Sequence, residues 1–443
     1  MVKTQFVNWF RSASPYIRIH RGRTFVVQVS DRALDSSGFT SLVHDVALLT
    51  SLGIRLVLVY GARASIDSCL DDKQAATRFH DGIRVTDPDT METVRTVAGR
   101  LLLKLQAGLS MGLGNSPMSN AEIRVNTGNY VSAKPLGIIG GVDYQFTGAV
   151  RAIDADAVVH KLDRGEIVVL PPLGYSVTGE AYNLSAPALA SGVAVALQAD
   201  KLIYLVESDD LSGLQDGLQV NQLNREGARE LLTRIDEHSG GYRVLKHALA
   251  ACAGGVQRAH LLNREEDGAL LNELFTRDGA GLMISTSAYD VTRKATGDDI
   301  GAILDLIEPH EQQGALVKRS REKLELEADH FTILVRDGLI IGCVGLYPYP
   351  DEGMGEVACL VVHPDYQDTG HGNLLLDEVE KEAIRRNLDC LFVLTTQAQH
   401  WFLERGFSEA SLDSLPMEKQ DLYNYQRNSK ILVRNLKLTG DRI

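Results

Sequence analysis

Residues 355–380 read GEVACLVVHPDYQDTGHGNLLLDEVE, and this stretch decides the fold of the last third of the chain. An apolar, strand-like run at 356–362 leads into the glycine-containing segment 367–372, and a helical pattern carrying Leu375 and Val379 follows at once. This order places free backbone N–H groups at a helix N-terminus, where the helix dipole favours an anion. Glycines let the backbone approach that anion closely, so the stretch predicts an anion-binding loop between a buried strand and a helix.

The residues around this loop predict a small α+β domain over residues 287–443. Thr296 and Asp299 have the spacing of a capping box at the start of a helix. The dipeptide Asp337–Gly338 separates two strand-like runs and predicts a hairpin. The predicted strands are 331–335, 339–347, 356–362 and 390–395, and a short helix is predicted near 401–405.

The first 286 residues alternate strand-like and helix-like runs, which is typical of an α/β domain. The run at 54–60, IRLVLVY, is nearly all apolar, as a strand buried on both faces should be. A polar stretch at 284–290 predicts a linker to the second domain. We therefore expect a mainly parallel sheet with helices on both faces. Further strands are predicted at 24–29, 166–170, 201–206 and 258–262, and helices at 91–109 and 184–198.

Composition and charge exclude several classes of protein. Of the 443 residues, 44% are hydrophobic and 23% are charged, and the formal net charge is −13. The chain therefore lacks the general basic field of a nucleic-acid-binding or membrane-surface protein. No apolar run reaches the 18 or so residues of a membrane span, and the amino terminus lacks the pattern of a secretory signal. The five cysteines show no metal-binding spacing, so we expect reduced thiols, no metal site and a cytoplasmic protein.

The loop and its surroundings resemble the GNAT acetyltransferases, whose Q/R-x-x-G-x-G/A loop holds the pyrophosphate of acetyl-CoA. Here the pattern is Gln367-x-x-Gly370-x-Gly372, preceded by a buried strand and followed by a helix, and WFLERGF lies downstream. The resemblance implies acetyl-CoA as co-substrate, with no other cofactor. The implied acetyl-CoA-binding residues are Leu360, Val361, Val362, Gln367, Asp368, Thr369, Gly370, His371 and Gly372.

A wider resemblance covers nearly the whole chain. The segments GALVKRSREKLE, LTTQAQHWFLERGF and LYNYQRNSKILVRNL in the second domain, and LGIRLVLVYGAR, IRVTD and FTGAVRAID in the first, are similar to the bacterial N-acetylglutamate synthases. This family implies transfer of the acetyl group from acetyl-CoA to L-glutamate, at the first step of arginine biosynthesis, with feedback inhibition by L-arginine. It also implies a homo-oligomer, a hexameric ring.

The expected chemistry assigns roles to a few residues of the second domain. A neutral amine must attack the thioester, so a base must accept a proton, and the resemblance gives this role to Glu356, directly or through water. The less favoured alternative for an isolated glutamate at a strand end is a solvated residue. The departing thiolate needs a hydroxyl, which the family places at Thr395, with Thr396 as the competing candidate.

The glutamate substrate carries two carboxylates, and arginine forks suit carboxylates better than a point charge does. The resemblance assigns Arg319 and Arg427 to them, with Ser429 as a supporting hydroxyl. For Lys318 and Arg321 we prefer a solvated surface role.

The first domain resembles the amino-acid kinase fold but lacks the residues of phosphoryl transfer. Gln28 and Ser30 stand where a kinase has its lysine and glycine pair, and Tyr60-Gly61-Ala62-Arg63 replaces the second glycine-rich turn. Pro187 replaces an aspartate. A cation near the transferred phosphoryl group is a large electrostatic term, so we expect a catalytically degenerate domain.

By resemblance to arginine-inhibited relatives, this domain is expected to sense L-arginine through Tyr16, Lys201, His260, Glu273, Thr276 and Gly279. Glu273 would pair with the guanidinium. His260 alone reads better as a satisfied core histidine, and Lys201 alone could be a vestigial phosphate-binding lysine. The alternative functions are an acetylglutamate kinase, or a non-catalytic arginine sensor.

Overall fold

The structure is a computed structural model that describes residues 2–74, 78–112, 114–216, 222–276, 279–286, 290–336, 338–367, 370–421, 423, 427 and 429–436. The chain forms two compact units, Met1–Ala288 and Tyr289–Ile443. None of the helices in the described part is both long enough and apolar enough to cross a lipid bilayer.

The first unit alternates strands and helices along the chain. Its helices are α1 (Val2–His20), α2 (Asp31–Asp35), α3 (Phe39–Ser51), α4 (Arg63–Asp72), α5 (Pro88–Leu109), α6 (Ala155–Asp163), α7 (Ala186–Ala196), α8 (Ser208–Gln215), α9 (Arg225–Leu232), α10 (Gly240–Ala253) and α11 (Ala269–Phe275). Its strands are β1 (Thr24–Val29), β2 (Arg55–Tyr60), β3 (Arg78–His80), β4 (Ile83–Val85), β5 (Val125–Asn126), β6 (Val131–Pro135), β7 (Ile138–Ile139), β8 (Val142–Asp143), β9 (Gly148–Ile153), β10 (Ile167–Leu170), β11 (Leu173–Tyr175), β12 (Ala181–Asn183), β13 (Lys201–Val206), β14 (Gln222–Asn224), β15 (Arg258–Asn263) and β16 (Leu282–Ser285).

Eight of these strands form the main sheet, in the order β14-β16-β15-β13-β1-β2-β10-β5. Every neighbouring pair is parallel except β15 and β16. Alternate residues of one strand enter different cores, since Val26 packs into one cluster while Phe25 and Val27 pack into another. Burial of both faces explains why the central strands are continuous apolar runs. The mainly parallel, helix-covered sheet that the sequence predicts is therefore confirmed.

The second unit is a seven-stranded sheet with helices. Its helices are α12 (Ile300–Gln312), α13 (Arg321–Leu326), α14 (His371–Arg385), α15 (Gln399–Leu403) and α16 (Met417–Asp421). Its strands are β17 (Asp290–Lys294), β18 (Phe331–Arg336), β19 (Leu339–Tyr349), β20 (Met354–Val362), β21 (Cys390–Thr395), β22 (Ser408–Glu409) and β23 (Lys430–Asn435), in the sheet order β17-β18-β19-β20-β21-β23-β22.

The centre of this sheet carries the feature that positions the site. β20 and β21 are parallel, and their register covers only Met354–Glu356 against 390–392, after which β21 continues to pair with β23. The two strands therefore separate beyond Glu356. A bulge sits on β20 in the same region, where the register against β19 shifts and Cys359 adopts a φ of 49°.

One expected element is different in the structure. The residues predicted as a linker, 284–290, end β16 and begin β17. β17 is a largely exposed edge strand that pairs with β18 from Asp290 to Lys294. Because its residues are mostly polar, the hydrophobic pattern does not predict it. The capping box at Thr296 and Asp299 forms as predicted, because the Asp299 carboxylate accepts hydrogen bonds from the backbone and hydroxyl of Thr296.

Candidate active site

Glu356 lies at the last register pair before β20 and β21 separate, opposite Tyr347 on one side and Phe392 on the other. The residue is 8% exposed. Its Oε2 lies 2.7 Å from Nζ of Lys419 in α16. The alternative reading of Glu356 as a solvated residue is therefore wrong: it is a buried, ion-paired carboxylate beside an opening in the sheet.

Thr395 ends β21 on the other side of this opening, opposite Lys430 of β23. It is buried, and its Oγ1 accepts hydrogen bonds from the backbone N–H groups of Gln397, at 3.3 Å, and Ala398, at 2.9 Å. A hydroxyl oxygen that accepts twice keeps its own hydrogen for donation. Thr396 is exposed, so the geometry favours Thr395 as the hydroxyl of the site.

Arg319 reaches β20 from the segment that precedes α13. Its Nη1 contacts Sγ of Cys359 at 2.5 Å, and its guanidinium carbon lies 5.7 Å from the centre of the Tyr347 ring. Its backbone N–H donates to Glu311 at 2.9 Å. Burial alone would lower the pKa of Arg319, but Cys359, Tyr347 and Glu356 raise it. Arg319 is thus a half-buried cation in contact with β20 at Cys359, on the strand that carries Glu356.

Arg427 approaches the same segment, because its Nη2 donates to the carbonyl oxygen of Ala315 at 2.5 Å. Ser429 is buried, and its carbonyl oxygen accepts a hydrogen bond from the hydroxyl of Tyr423 at 2.7 Å. The structure brings Arg427 to the 315–319 segment that carries Arg319. Arg321 differs, because it forms an exposed ion pair with Glu325, which fits its predicted solvated role.

The predicted pyrophosphate loop runs from the end of β20 to the start of α14. Gln367 Nε2 donates to the carbonyl oxygen of Val362 at 3.0 Å, so its side chain closes the loop onto the strand. Gly370 caps α14 with a φ of 87°, a conformation that favours glycine. A Cβ on Gly372 would lie 2.9 Å from the Trp401 ring, so close packing requires glycine there too. Asp368 and Thr369 lie outside the described residues.

The other predicted acetyl-CoA residues are placed as follows. Val361 and Val362 are buried at the end of β20, and Leu360 is half-buried in the bulge. His371 is the first residue of α14, but its ring is 3% exposed and its Nδ1 contacts the carbonyl oxygen of Tyr366. The imidazole therefore faces the protein, and only the backbone N–H of His371 is placed for an anion.

The sequence reading missed several groups that the fold brings to this site. Lys419, Tyr347 and Cys359 contact Glu356 or Arg319. No sequence signal identifies Lys419, because its partner lies in a distant strand. Burial raises the pKa of the Cys359 thiol to about 11, so this thiol stays protonated at neutral pH. Among the described residues, no cluster of His, Cys, Asp and Glu could hold a metal ion.

In the first unit, a cavity of about 1160 Å³ lies at the carboxyl ends of β1, β2 and β13. Its lining includes Gln28, Ser30, Arg63 and Pro187, four of the positions at which the sequence lacks kinase residues. A cleft is therefore present where a kinase would bind its substrates, but the side chains that line it differ from those of a kinase.

Three of the predicted arginine-sensing residues form a buried, hydrogen-bonded row of side chains. Lys201 Nζ lies 3.3 Å from His260 Nε2, and His260 Nδ1 lies 2.5 Å from Glu273 Oε1. Glu273 Oε2 accepts hydrogen bonds from the backbone N–H groups of Ala280 and Gly281. The carboxylate is therefore used within the protein, although a lone pair of Oε1 is left to accept from a ligand.

The charges of His260 and Glu273 in this row are set by burial and by neighbouring polar groups. Burial alone would raise the pKa of Glu273, but the hydrogen bond from His260, the Ala280 amide and the Lys201 charge lower it to about 2. Burial and the Lys201 ammonium lower the pKa of His260. We infer an ionised Glu273 beside a neutral His260.

The remaining predicted arginine-sensing residues lie on the same side of the first unit. Gly279 has a φ of 66°, and a Cβ there would meet Glu273 Oε2 at 2.5 Å. Thr276 ends α11, where its hydroxyl donates to the carbonyl oxygen of Asn272. α1 packs against α11: Tyr16 lies half-buried in the adjoining core, and His20 Nε2 contacts the carbonyl oxygen of Leu274 at 2.8 Å.

Comparison with known proteins agrees with the division of the chain into two units. The amino acid kinase family model matches residues 23–263, and the acetyltransferase (GNAT) family model matches residues 300–407. Amino-acid acetyltransferases of Yersinia pseudotuberculosis serotype O:1b (strain IP 31758) and Yersinia pestis bv. Antiqua (strain Angola) are each 48% identical over 437 residues, which cover 98% of this chain and 99% of theirs.

Solved structures are also similar over nearly the full length. N-acetylglutamate synthase from Neisseria gonorrhoeae, complexed with coenzyme A and L-arginine, has a TM-score of 0.88 and 38% identity and covers 97% of this chain and 99% of its own. The same enzyme complexed with coenzyme A and N-acetyl-glutamate has a TM-score of 0.62 and 39% identity, at the same coverage.

Proposed function

Because the chain belongs to the amino-acid acetyltransferases, with an amino acid kinase family domain before a GNAT domain, we propose that it transfers the acetyl group of acetyl-CoA to L-glutamate. The products are coenzyme A and N-acetyl-L-glutamate. The observation that carries this proposal is the buried Glu356 at the separation of β20 and β21, with Arg319 in contact with Cys359 of the same strand and Arg427 bonded to the segment that holds Arg319.

Glu356 is the proposed general base. The ammonium group of glutamate must lose a proton before its nitrogen attacks the thioester carbon, and the carboxylate accepts this proton directly or through a water. Lys419 holds Oε2 at 2.7 Å, which leaves Oε1 to face the amine. The amine then attacks directly, and the protein forms no acyl-enzyme.

Thr395 is the proposed partner of the leaving thiolate. When the tetrahedral intermediate collapses, the carbon–sulfur bond breaks and the sulfur needs a proton. The Thr395 oxygen already accepts from two backbone N–H groups, so its hydroxyl hydrogen remains available to donate to the sulfur. These two amides also polarise the O–H bond and make it a better donor.

Arg319, Arg427 and Ser429 are the proposed ligands of the glutamate carboxylates. A dicarboxylate fits this pair because each guanidinium can bind one carboxylate through two N–H groups. The pyrophosphate of acetyl-CoA lies, in this proposal, at the backbone N–H groups of 370–372, where the first turn of α14 has no acidic residue.

An enzyme assay separates this function from its alternatives. Release of thiol from acetyl-CoA is measured with glutamate, aspartate, glutamine and ornithine as acceptors, and release of ADP is measured with ATP and N-acetylglutamate. We expect thiol release with glutamate and no ADP release, because Gln28, Ser30 and Pro187 replace the kinase groups. ADP release would identify a kinase, and activity with neither pair would favour a non-catalytic sensor.

We also propose that the first unit binds L-arginine and that bound arginine inhibits acetyl transfer. In this proposal the enzyme catalyses the first step of arginine biosynthesis and works in the cytoplasm. The Neisseria gonorrhoeae synthase was crystallised with L-arginine. In this chain the Lys201–His260–Glu273 row offers a cation at one end and an anion at the other, which suits an amino acid whose side chain is a guanidinium.

Titration calorimetry tests this regulatory site. Glu273→Ala should weaken both arginine binding and arginine inhibition, while turnover without arginine persists and thermal unfolding shows that the variant is folded. The matched control is Glu265→Ala, which removes a glutamate paired at the surface with Arg264. If wild-type protein binds no arginine at millimolar concentrations, the regulatory proposal is wrong and the acetyltransferase proposal is unaffected.

A further inference from the structure

A buried polar cluster surrounds the side chain of His371, the first residue of α14. Arg336, at the end of β18, donates from Nε and Nη2 to the two oxygens of Asp290 in β17, at 2.7 and 2.8 Å. His371 Nε2 lies 3.0 Å from Asp290 Oδ2 and 3.0 Å from Arg336 Nη2. His371 is 3% exposed, and the side chains of Arg336 and Asp290 are 14% and 17% exposed.

The hydrogen-bonding roles in this cluster are constrained by chemistry. The carbonyl oxygen of Tyr366 can only accept, so His371 Nδ1, at 2.9 Å from it, donates. Nε2 then accepts from Arg336 in the neutral ring and donates to Asp290 in the charged ring. Each protonation state has a partner in place, so the imidazole is held in one position at either charge.

The cluster therefore connects three elements at one point. The ring of His371 ties the first residue of α14 to two strands of the sheet and to Tyr366, which directly precedes the loop. Arg336 also stacks near the Tyr366 ring, at 5.3 Å from its centre. The contact between His371 and Tyr366 thus fixes the first residue of α14 relative to the residue that precedes Gln367.

We propose that Asp290, Arg336 and His371 are positioning residues for the acetyl-CoA pyrophosphate: they fix the N-terminus of α14 so that the N–H groups of Gly370, His371 and Gly372 point at the phosphate oxygens. None of the three side chains touches the co-substrate in this arrangement. The inference rests on the proposed place of the pyrophosphate at this loop. A positioning role accounts for the buried ring of His371 at the first residue of α14, where the backbone N–H groups face the phosphate.

The test compares acetyl-CoA with S-acetylpantetheine, which carries the same thioester but no pyrophosphate. Asp290→Asn and His371→Ala should raise KM for acetyl-CoA by roughly 10- to 100-fold, by analogy with the loss of a group that orients a metal ligand. KM for S-acetylpantetheine and kcat with either substrate should stay close to wild type. His371→Asn, whose amide can still donate to Tyr366, should lie between.

The control is Asp299→Asn, which breaks another bidentate arginine–aspartate pair, with Arg293 of the same strand β17. It should leave the ratio of the two KM values unchanged. Equal rises for both substrates in Asp290→Asn, or no rise for either, would overturn the inference. If wild-type enzyme has the same KM for both substrates, the placement of the pyrophosphate is itself wrong, and the two failures are thereby distinguished.

Discussion

The ion pair with Lys419 fixes the position of the Glu356 carboxylate, which we propose as the base. Glu356→Gln keeps the size of the side chain and removes the proton acceptor. We expect turnover to fall by about 10²- to 10⁴-fold with little change in the affinity for acetyl-CoA. Steady-state thiol release measures both, and Glu378→Gln, in a surface pair with Lys381, is the control. Turnover within twofold of wild type would exclude Glu356 as the base.

The two arginines that we propose as ligands of glutamate allow a second prediction, because a control arginine lies nearby in the sequence. Arg319→Ala and Arg427→Ala should raise KM for glutamate and leave KM for acetyl-CoA nearly unchanged. Arg321→Ala is the control, since Arg321 forms an exposed pair with Glu325. A rise in KM for acetyl-CoA alone would instead place these arginines at the phosphates of coenzyme A.

Sequence reasoning at this scale depended on residue type and local order. Gly370 was singled out because it stands in a recognisable strand–loop–helix order, and Glu356 because the resemblance assigns it the role of base. Lys419 and Asp290 could not, since their partners are distant in the chain: Asp290 is 46 residues from Arg336 and 81 from His371. Such contacts exist only after the sheet has formed, so no local pattern records them.

At the scale of elements, hydrophobic pattern predicted the long central strands, whereas the buried β16 and the exposed β17 were both missed beside the stretch predicted as a linker. β1 and β13 are buried at every residue, and their apolar runs were recognised. β17, with the sequence DVTRK, lies at the sheet edge, and its pairing with β18 rather than its composition makes it a strand.

Because the pKa of Glu273 in α11 is lowered by folding, we expect the free energy of unfolding to decrease in acid. Its pKa is lowered to about 2 in the folded protein, so its contribution is present above the unfolded pKa near 4.5 and is lost as pH falls toward 2. Urea unfolding of wild type and Glu273→Gln should differ most at neutral pH and converge in acid. A difference that stays constant with pH would contradict the assignment.

At the scale of the whole molecule, the resemblance predicts a hexameric ring, and α1 offers the apolar surface for association. Trp9 and Phe10 are 45% and 53% exposed. Light scattering should give about six times the chain mass of 48.5 kDa, and Trp9→Glu should lower it, since a charge is costly to bury in an interface. Leu103→Glu, at an exposed leucine of α5, is the control. A monomer in the wild type would contradict the prediction.

The separation of β20 and β21 also bears on how the second unit opens locally. Only three register pairs join the half of the sheet made by β17–β20 to the half made by β21–β23, so backbone amides of β20 beyond Glu356 lack β21 as a partner. Hydrogen–deuterium exchange should therefore be faster for the 357–362 amides that face β21 than for those bonded to β19. Coenzyme A, whose pantetheine arm carries two amides of its own, should slow that exchange and make the two halves of the sheet open together as one cooperative unit.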